Sequence, residues 1–87
     1  MPWTLRGVEA LLDRWIADDQ PDFETRMAVG SWLMQLRDDP ASIDSYPIPS
    51  IHTAHIACVP GTSVWFLYAL WEQTREIVGA FLATMSD

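Results

Sequence analysis

Between Ser45 and Trp71 the chain carries no Asp, Glu, Arg or Lys. An uncharged run of this length restricts the fold to a membrane span, a buried helix or a sheet interior. Its most apolar part, Ile56 to Trp71, is short for a bilayer and is interrupted by Pro60-Gly61, which argues against a span. Up to Asp44, by contrast, there are four arginines and nine carboxylates. The two halves also differ in hydrophobic period, and the fold class follows from that change.

The uncharged half reads as strands. Tyr46-Pro47-Ile48-Pro49 demands an extended, edge-like or loop conformation, because each proline removes a donor and biases the preceding residue away from helix. Ile51 to Val59 alternates as a strand, with Ile51, Thr53, His55 and Ala57 on one face and His52, Ala54, Ile56 and Cys58 on the other. Val59-Pro60-Gly61-Thr62 fits a type II turn, with proline at the second position and glycine where φ must be positive. Val64 to Trp71 is rich in β-branched and aromatic residues and apolar on both faces, as a central strand is. Glu72-Gln73-Thr74-Arg75 turns the chain, and Ile77 to Thr84 runs back, with Gly79 as a weak point or a site of close approach.

The charged half reads as helices. Leu5, Val8, Leu11, Leu12, Trp15 and Ile16 recur at helical spacing behind Thr4 as an N-cap, and Asp18-Asp19-Gln20-Pro21 ends the segment. Pro21, Asp22 and Glu24 open a second helix, since proline tolerates the first turn and acids complement the dipole. It runs to about Asp38, where Asp39-Pro40 stops it. Its polar stripe (Glu24, Ala28, Ser31, Gln35, Asp38) is narrow. The remaining arc, including Phe23, Met27, Trp32, Leu33, Met34 and Leu36, is wide enough to need cover on two sides, from the domain or from a partner. The expected architecture is a single α+β domain over 1–87, a helical hairpin at about 5–38 packed on a three- to four-stranded antiparallel sheet whose meander covers about 51–84.

Composition narrows the function classes. The net charge is −7, with five arginines and no lysine; a general nucleic-acid or anionic-membrane surface needs more cations than this. The single Cys58 precludes an internal disulfide and a cysteine metal cluster, and reads as an inert thiol. Clusters such as Asp18, Asp19 and Asp22, or Asp38 and Asp39, read as caps and solubilising charge rather than as a cation site, so no metal and no cofactor is expected. The N-terminal stretch lacks the apolar core of a signal peptide, and a cytosolic location is expected. Five tryptophans are many for 87 residues, and some are expected at a partner interface.

Three segments resemble the RelE/ParE toxin superfamily. They are Trp32-Leu33-Met34-Gln35-Leu36-Arg37-Asp38-Asp39-Pro40, which is similar to the end of that family's second helix; Val59-Pro60-Gly61-Thr62 leading into Val64 to Tyr68; and Thr74-Arg75-Glu76-Ile77-Val78 before the last strand. The order of two helices followed by a meander is also similar, and the likeness spans residues 5 to 84. It implies a toxin of a toxin–antitoxin module. Where the messenger-RNA-cleaving members carry basic residues, this chain has Val64, Trp65 and Phe66, and its last strand ends Ala83-Thr84-Met85. The expectation is therefore a ParE-like member that acts by binding a protein and is held by an antitoxin, without nuclease activity. Trp15, Trp32, Leu36 and Trp65 are its expected partner-binding residues, and nucleic acid and membrane are not expected partners.

Two alternatives stand beside that reading. One is a ribonuclease of the RelE type using His55, Tyr68 and Arg75; the bland roles of these residues are a hydrogen-bonded histidine, a core tyrosine satisfied at the sheet edge, and a solvated turn pair with Glu72 and Glu76. His52 lies three positions from His55, on the opposite face of a strand, and cannot act with it. The other alternative is a small interaction or immunity-like domain, as a homodimer, that shares only the architecture.

Overall fold

A computed structural model describes residues 2–85, apart from the side chain of His52. The strands are β1 (Thr4–Arg6), β2 (Tyr46–Ile48), β3 (Ile51–Cys58), β4 (Val64–Trp71) and β5 (Glu76–Thr84). Helices α1 (Val8–Asp19) and α2 (Phe23–Asp38) lie between β1 and β2, and a 3-10 turn, Pro40–Ser42, follows α2. The sheet order is β1-β5-β4-β3-β2, and every pairing is antiparallel except β1 with β5, which is parallel. The fold is therefore α+β with a five-stranded mixed sheet.

The expected three- to four-stranded antiparallel sheet is corrected to this five-stranded mixed one, because the first residues add a parallel edge strand and Tyr46–Ile48 another edge. Leu5 belongs to a strand rather than to the first helix: Thr4, Leu5 and Arg6 pair with Glu76, Ile77 and Val78. Thr4 does not cap α1; that place is taken by Gly7 at φ 74°, a left-handed conformation that glycine adopts without strain. The backbone N–H groups of Trp3 and Thr4 donate to the carbonyls of Arg37 and Arg75, which fastens the first strand at both sides. α1 packs over β5, and a groove lined by residues of both helices opens between α1 and α2.

The second helix is bounded by local chemistry that its sequence announces. Asp22 accepts from the backbone N–H of Thr25 at 2.8 Å, satisfying one of the first-turn donors. The turn between β3 and β4 likewise follows expectation, with Gly61 at φ 78° and the Thr62 N–H bonded to the Val59 carbonyl at 3.1 Å.

The core lies between the sheet and the helices. Phe66 of β4 is fully buried, with Trp32 of α2 edge-on to it at 6.0 Å and Tyr68 stacked beside it at 5.2 Å. Trp15, Val29, Leu36, Ile77 and Leu82 complete the interior. A side chain of this size contributes about 1.5–3 kcal/mol when it leaves water, so these residues decide which face of each element turns inward. Trp15 also satisfies its indole N–H, which donates to Thr84 Oγ1 at 3.0 Å.

A bulge in β5 sets the outer surface. Leu67 pairs with Phe81 and Tyr68 with Gly79, which leaves Ala80 as the extra residue. Gly79 therefore faces inward under α1, whereas beyond the bulge Leu82 and Thr84 turn in and Phe81 and Ala83 turn out. Among the described residues no helix is long and apolar enough to cross a membrane.

Candidate functional site

Pairing across β3 and β4 brings His55 opposite Tyr68 on the helix-facing side, and their rings stack at 5.7 Å. Ser45, just before β2, joins the two. Its Oγ lies 3.3 Å from His55 Nδ1, and its hydroxyl also hydrogen-bonds the Tyr68 phenol. Burial raises the Tyr68 pKa above its ordinary value, and the bond from Ser45 offsets part of that rise. With Nδ1 engaged, Nε2 is the imidazole nitrogen left for a ligand.

His55 borders two hollows. One, of about 310 Å³, is lined by Trp3, Asp39, Ile43, Ser45, Leu70 and Glu72 among others; the other, of about 660 Å³, by Thr53, Leu70, Trp71, Glu72 and their neighbours. The charged side chains at these hollows are the carboxylates of Asp39 and Glu72, and no arginine lines either of them. A phosphodiester brought to His55 would thus meet negative charge where cleavage requires positive charge.

Arg75 lines neither hollow, although its neighbour Thr74 lines one and Trp3, which its guanidinium approaches, lines the other. It occupies the β4–β5 turn at φ 54°, its carbonyl receives the Thr4 N–H, and its guanidinium stands 5.4 Å from the ring centre of Trp3. The structure therefore unites His55 and Tyr68 through Ser45 and sets Arg75 against Trp3. Ser45 was not foreseen. It stands at the start of the uncharged run with no motif around it, and only the fold carries it to His55. As for the acids, Asp22 caps α2, and Asp19 accepts from the Thr84 N–H at 2.9 Å. Among the described residues no three potential metal ligands come together.

Of the residues expected to meet a partner, Trp15, Trp32 and Leu36 are core residues. They have almost no accessible surface, so this role cannot rest on them; of the apolar arc of α2, Val29, Trp32, Leu33 and Leu36 are buried, whereas Phe23, Met27 and Met34 are exposed. Trp65 lies on the other side of the sheet, half-buried against Tyr46 at 6.5 Å.

Two apolar surfaces remain open. The first is the groove between α1 and α2, about 880 Å³, lined by Leu5, Leu12, Met27, Leu33 and Met34, with Glu9 and Arg26 as its charged members. Phe23, Met27 and Met34 all stand exposed on α2. Gly30 also lines this groove, and a Cβ built on it would meet nothing within 4 Å. The second surface is the side of the sheet away from the helices. Cross-strand register places Tyr46, Ile56, Trp65, Leu67, Phe81 and Ala83 together there, with Ala54, Ala69, Trp71 and Val78 farther along. Its strands carry Arg6 and Glu76 at the β1 side, paired with each other at 3.2 Å, and Arg14, Asp18 and Asp19 of α1 line a hollow beside Phe81 and Ala83.

Comparison with protein-family models, with curated proteins and with solved structures finds no match for this chain.

Proposed function

We propose that the protein is a small protein-binding module of the RelE/ParE toxin type, engaged by an antitoxin-like partner and without nuclease activity. The observation that carries this reading is the α1–α2 groove. An amphipathic helix presents anchors at i, i+3, i+4 and i+7, and an apolar groove between two helices can receive it. Gly30 strengthens the case. A glycine inside a helix costs about 1 kcal/mol against alanine, yet nothing in the chain occupies the space a methyl group would take. A backbone approaching from outside gives that position a use. The surroundings of His55 support the absence of cleavage, since carboxylates rather than cations border its hollows.

The test is co-purification with the product of the adjacent reading frame, using Met27→Glu and Met34→Glu as groove variants. Retention of a partner by the native chain and its loss from both variants is the expected result. Binding that survives both substitutions would refute the assignment of the groove. In parallel, messenger-RNA ends are mapped after induced expression, with and without translation. Discrete new cuts that vanish in His55→Ala or Arg75→Ala would favour the ribonuclease reading, which uses His55, Tyr68 and Arg75.

A further inference from the structure

We infer that the sheet face opposite the helices is a self-association surface, on which a second copy of this chain packs sheet against sheet. This is independent of the groove and of any heterologous partner. Strand β4 is apolar on both sides, the pattern of a strand covered on both faces, yet the chain supplies helices to only one of them. The other face leaves Trp71 at 52% and Phe81 at 42% exposure. Monomeric proteins rarely leave such large apolar side chains on one continuous surface without a use.

Charge selects the occupant. Each copy carries −7 at pH 7, so two copies repel wherever their carboxylates meet. This face is the exception along its strands, whose formal charges among the described residues are the mutually paired Arg6 and Glu76, with Arg14, Asp18 and Asp19 of α1 reaching only its border beside Phe81 and Ala83. It therefore presents its copy with little like-charge conflict, and a two-fold axis makes one apolar patch complementary to itself.

Size and geometry agree. Strands β3, β4 and β5 have eight, eight and nine residues. At about 3.3 Å per residue and about 4.8 Å between strands, with β2 alongside, the face measures roughly 25 by 15–20 Å. Two such faces in contact remove on the order of 1,000 Å² in total, the level at which specific interfaces begin. Ala54 and Ala69 pair across β3 and β4, so the face carries small side chains between Leu67 and Trp71. Edge pairing is the competing mode. The edge strands β1 and β2 have three residues each and β2 contains Pro47, but β1 pairs β5 only at Glu76, Ile77 and Val78, and of the later β5 residues the Thr84 N–H is taken by Asp19.

Sedimentation equilibrium of the full chain over a concentration series tests the inference. The expected result is a monomer–dimer equilibrium at roughly tens of micromolar, as suits an interface at the lower end of the size range. Association should tighten as salt rises, because screening weakens the repulsion between the two net charges. Trp71→Glu and Phe81→Glu, both at exposed positions, should each weaken association at least tenfold while keeping the native circular dichroism. Met34→Glu, in the helix groove, should leave it unchanged. Collisional quenching of Trp71 emission gives a second readout and should fall as the dimer forms. A chain that stays monomeric up to about millimolar concentration, far above the strength expected of such an interface, would overturn the inference. So would a dimer that survives both sheet-face substitutions, or one that only Met34→Glu dissolves.

Discussion

Gly79→Ala tests whether α1 truly rests on the β5 bulge. A Cβ at this position would stand 2.8 Å from Leu11 Cδ1 and 3.2 Å from two ring atoms of Phe66. The two neighbours differ in their freedom. Leu11 is half-buried and its methyl can swing away by a rotamer change, whereas Phe66 is fully buried with Trp32 against its edge and Tyr68 against its face. Replacing glycine within a strand gains roughly 0.5–1 kcal/mol by restricting the unfolded chain. Forcing a methyl group into a packed core costs typically about 1–3 kcal/mol. The overlap with Phe66 decides the sign, and the net expectation is a loss of about 1–2 kcal/mol. For a domain of this size that lowers Tm by roughly 4–16 °C. Urea unfolding followed by tryptophan fluorescence measures it, with the midpoint falling and the slope unchanged. An alanine variant as stable as the native chain would show that α1 does not lie on Gly79 as described.

Gly30→Ala should act in the opposite direction. Its Cβ meets nothing, so the variant should gain roughly 0.5–1 kcal/mol in the same unfolding assay while weakening the partner that uses the groove. Asp22→Asn should retain the cap of α2 but remove its pH dependence. Hydrogen bonds from the Thr25 side chain and backbone lower the Asp22 pKa, so its contribution is complete above the ordinary carboxylate range and is lost as pH falls through the lowered value. Thermal scans from neutral to acid pH should show a shallower loss in the asparagine variant. Tyr68→Phe should show the alkaline counterpart. The buried phenol has a raised pKa, so its stabilising effect is full below about pH 10 and disappears as pH climbs through the folded value. The phenylalanine variant should lose less stability than the native chain over that alkaline interval.

How far the fold could be read from the sequence depended on whether each signal was local. The α2 boundaries are legible because Asp22 and Asp39-Pro40 act within a turn of the helix they bound. The β3–β4 turn is legible because Pro60-Gly61 fixes its own dihedrals. β1 was not legible. Leu5 sits three residues before Val8, at helical spacing, and its strand exists only because β5, some seventy residues later, offers an edge. The outer sheet face was half legible. The two-sided apolar character of β4 announced it, but strict alternation from Ile77 would turn Phe81 and Ala83 inward. The extra residue Ala80 reverses them and brings in Leu82 and Thr84, and a bulge leaves no local mark that distinguishes it from a regular strand beyond the glycine beside it. The same limitation misassigned the tryptophans. Hydrophobic content identifies Trp15, Trp32, Trp65 and Trp71 as residues that avoid water, but only the folded packing separates the first two, which helices α1 and α2 bury, from the last two, which the register of β4 turns outward. His55 belongs with them. Its type and position invited a chemical role, yet the partner that orients it, Ser45, is brought in by an edge strand with a register shift at Pro47/Ile48. Surfaces and sites in this chain are therefore products of pairing between distant strands, and the residues that define them acquire their meaning only after the sheet has formed.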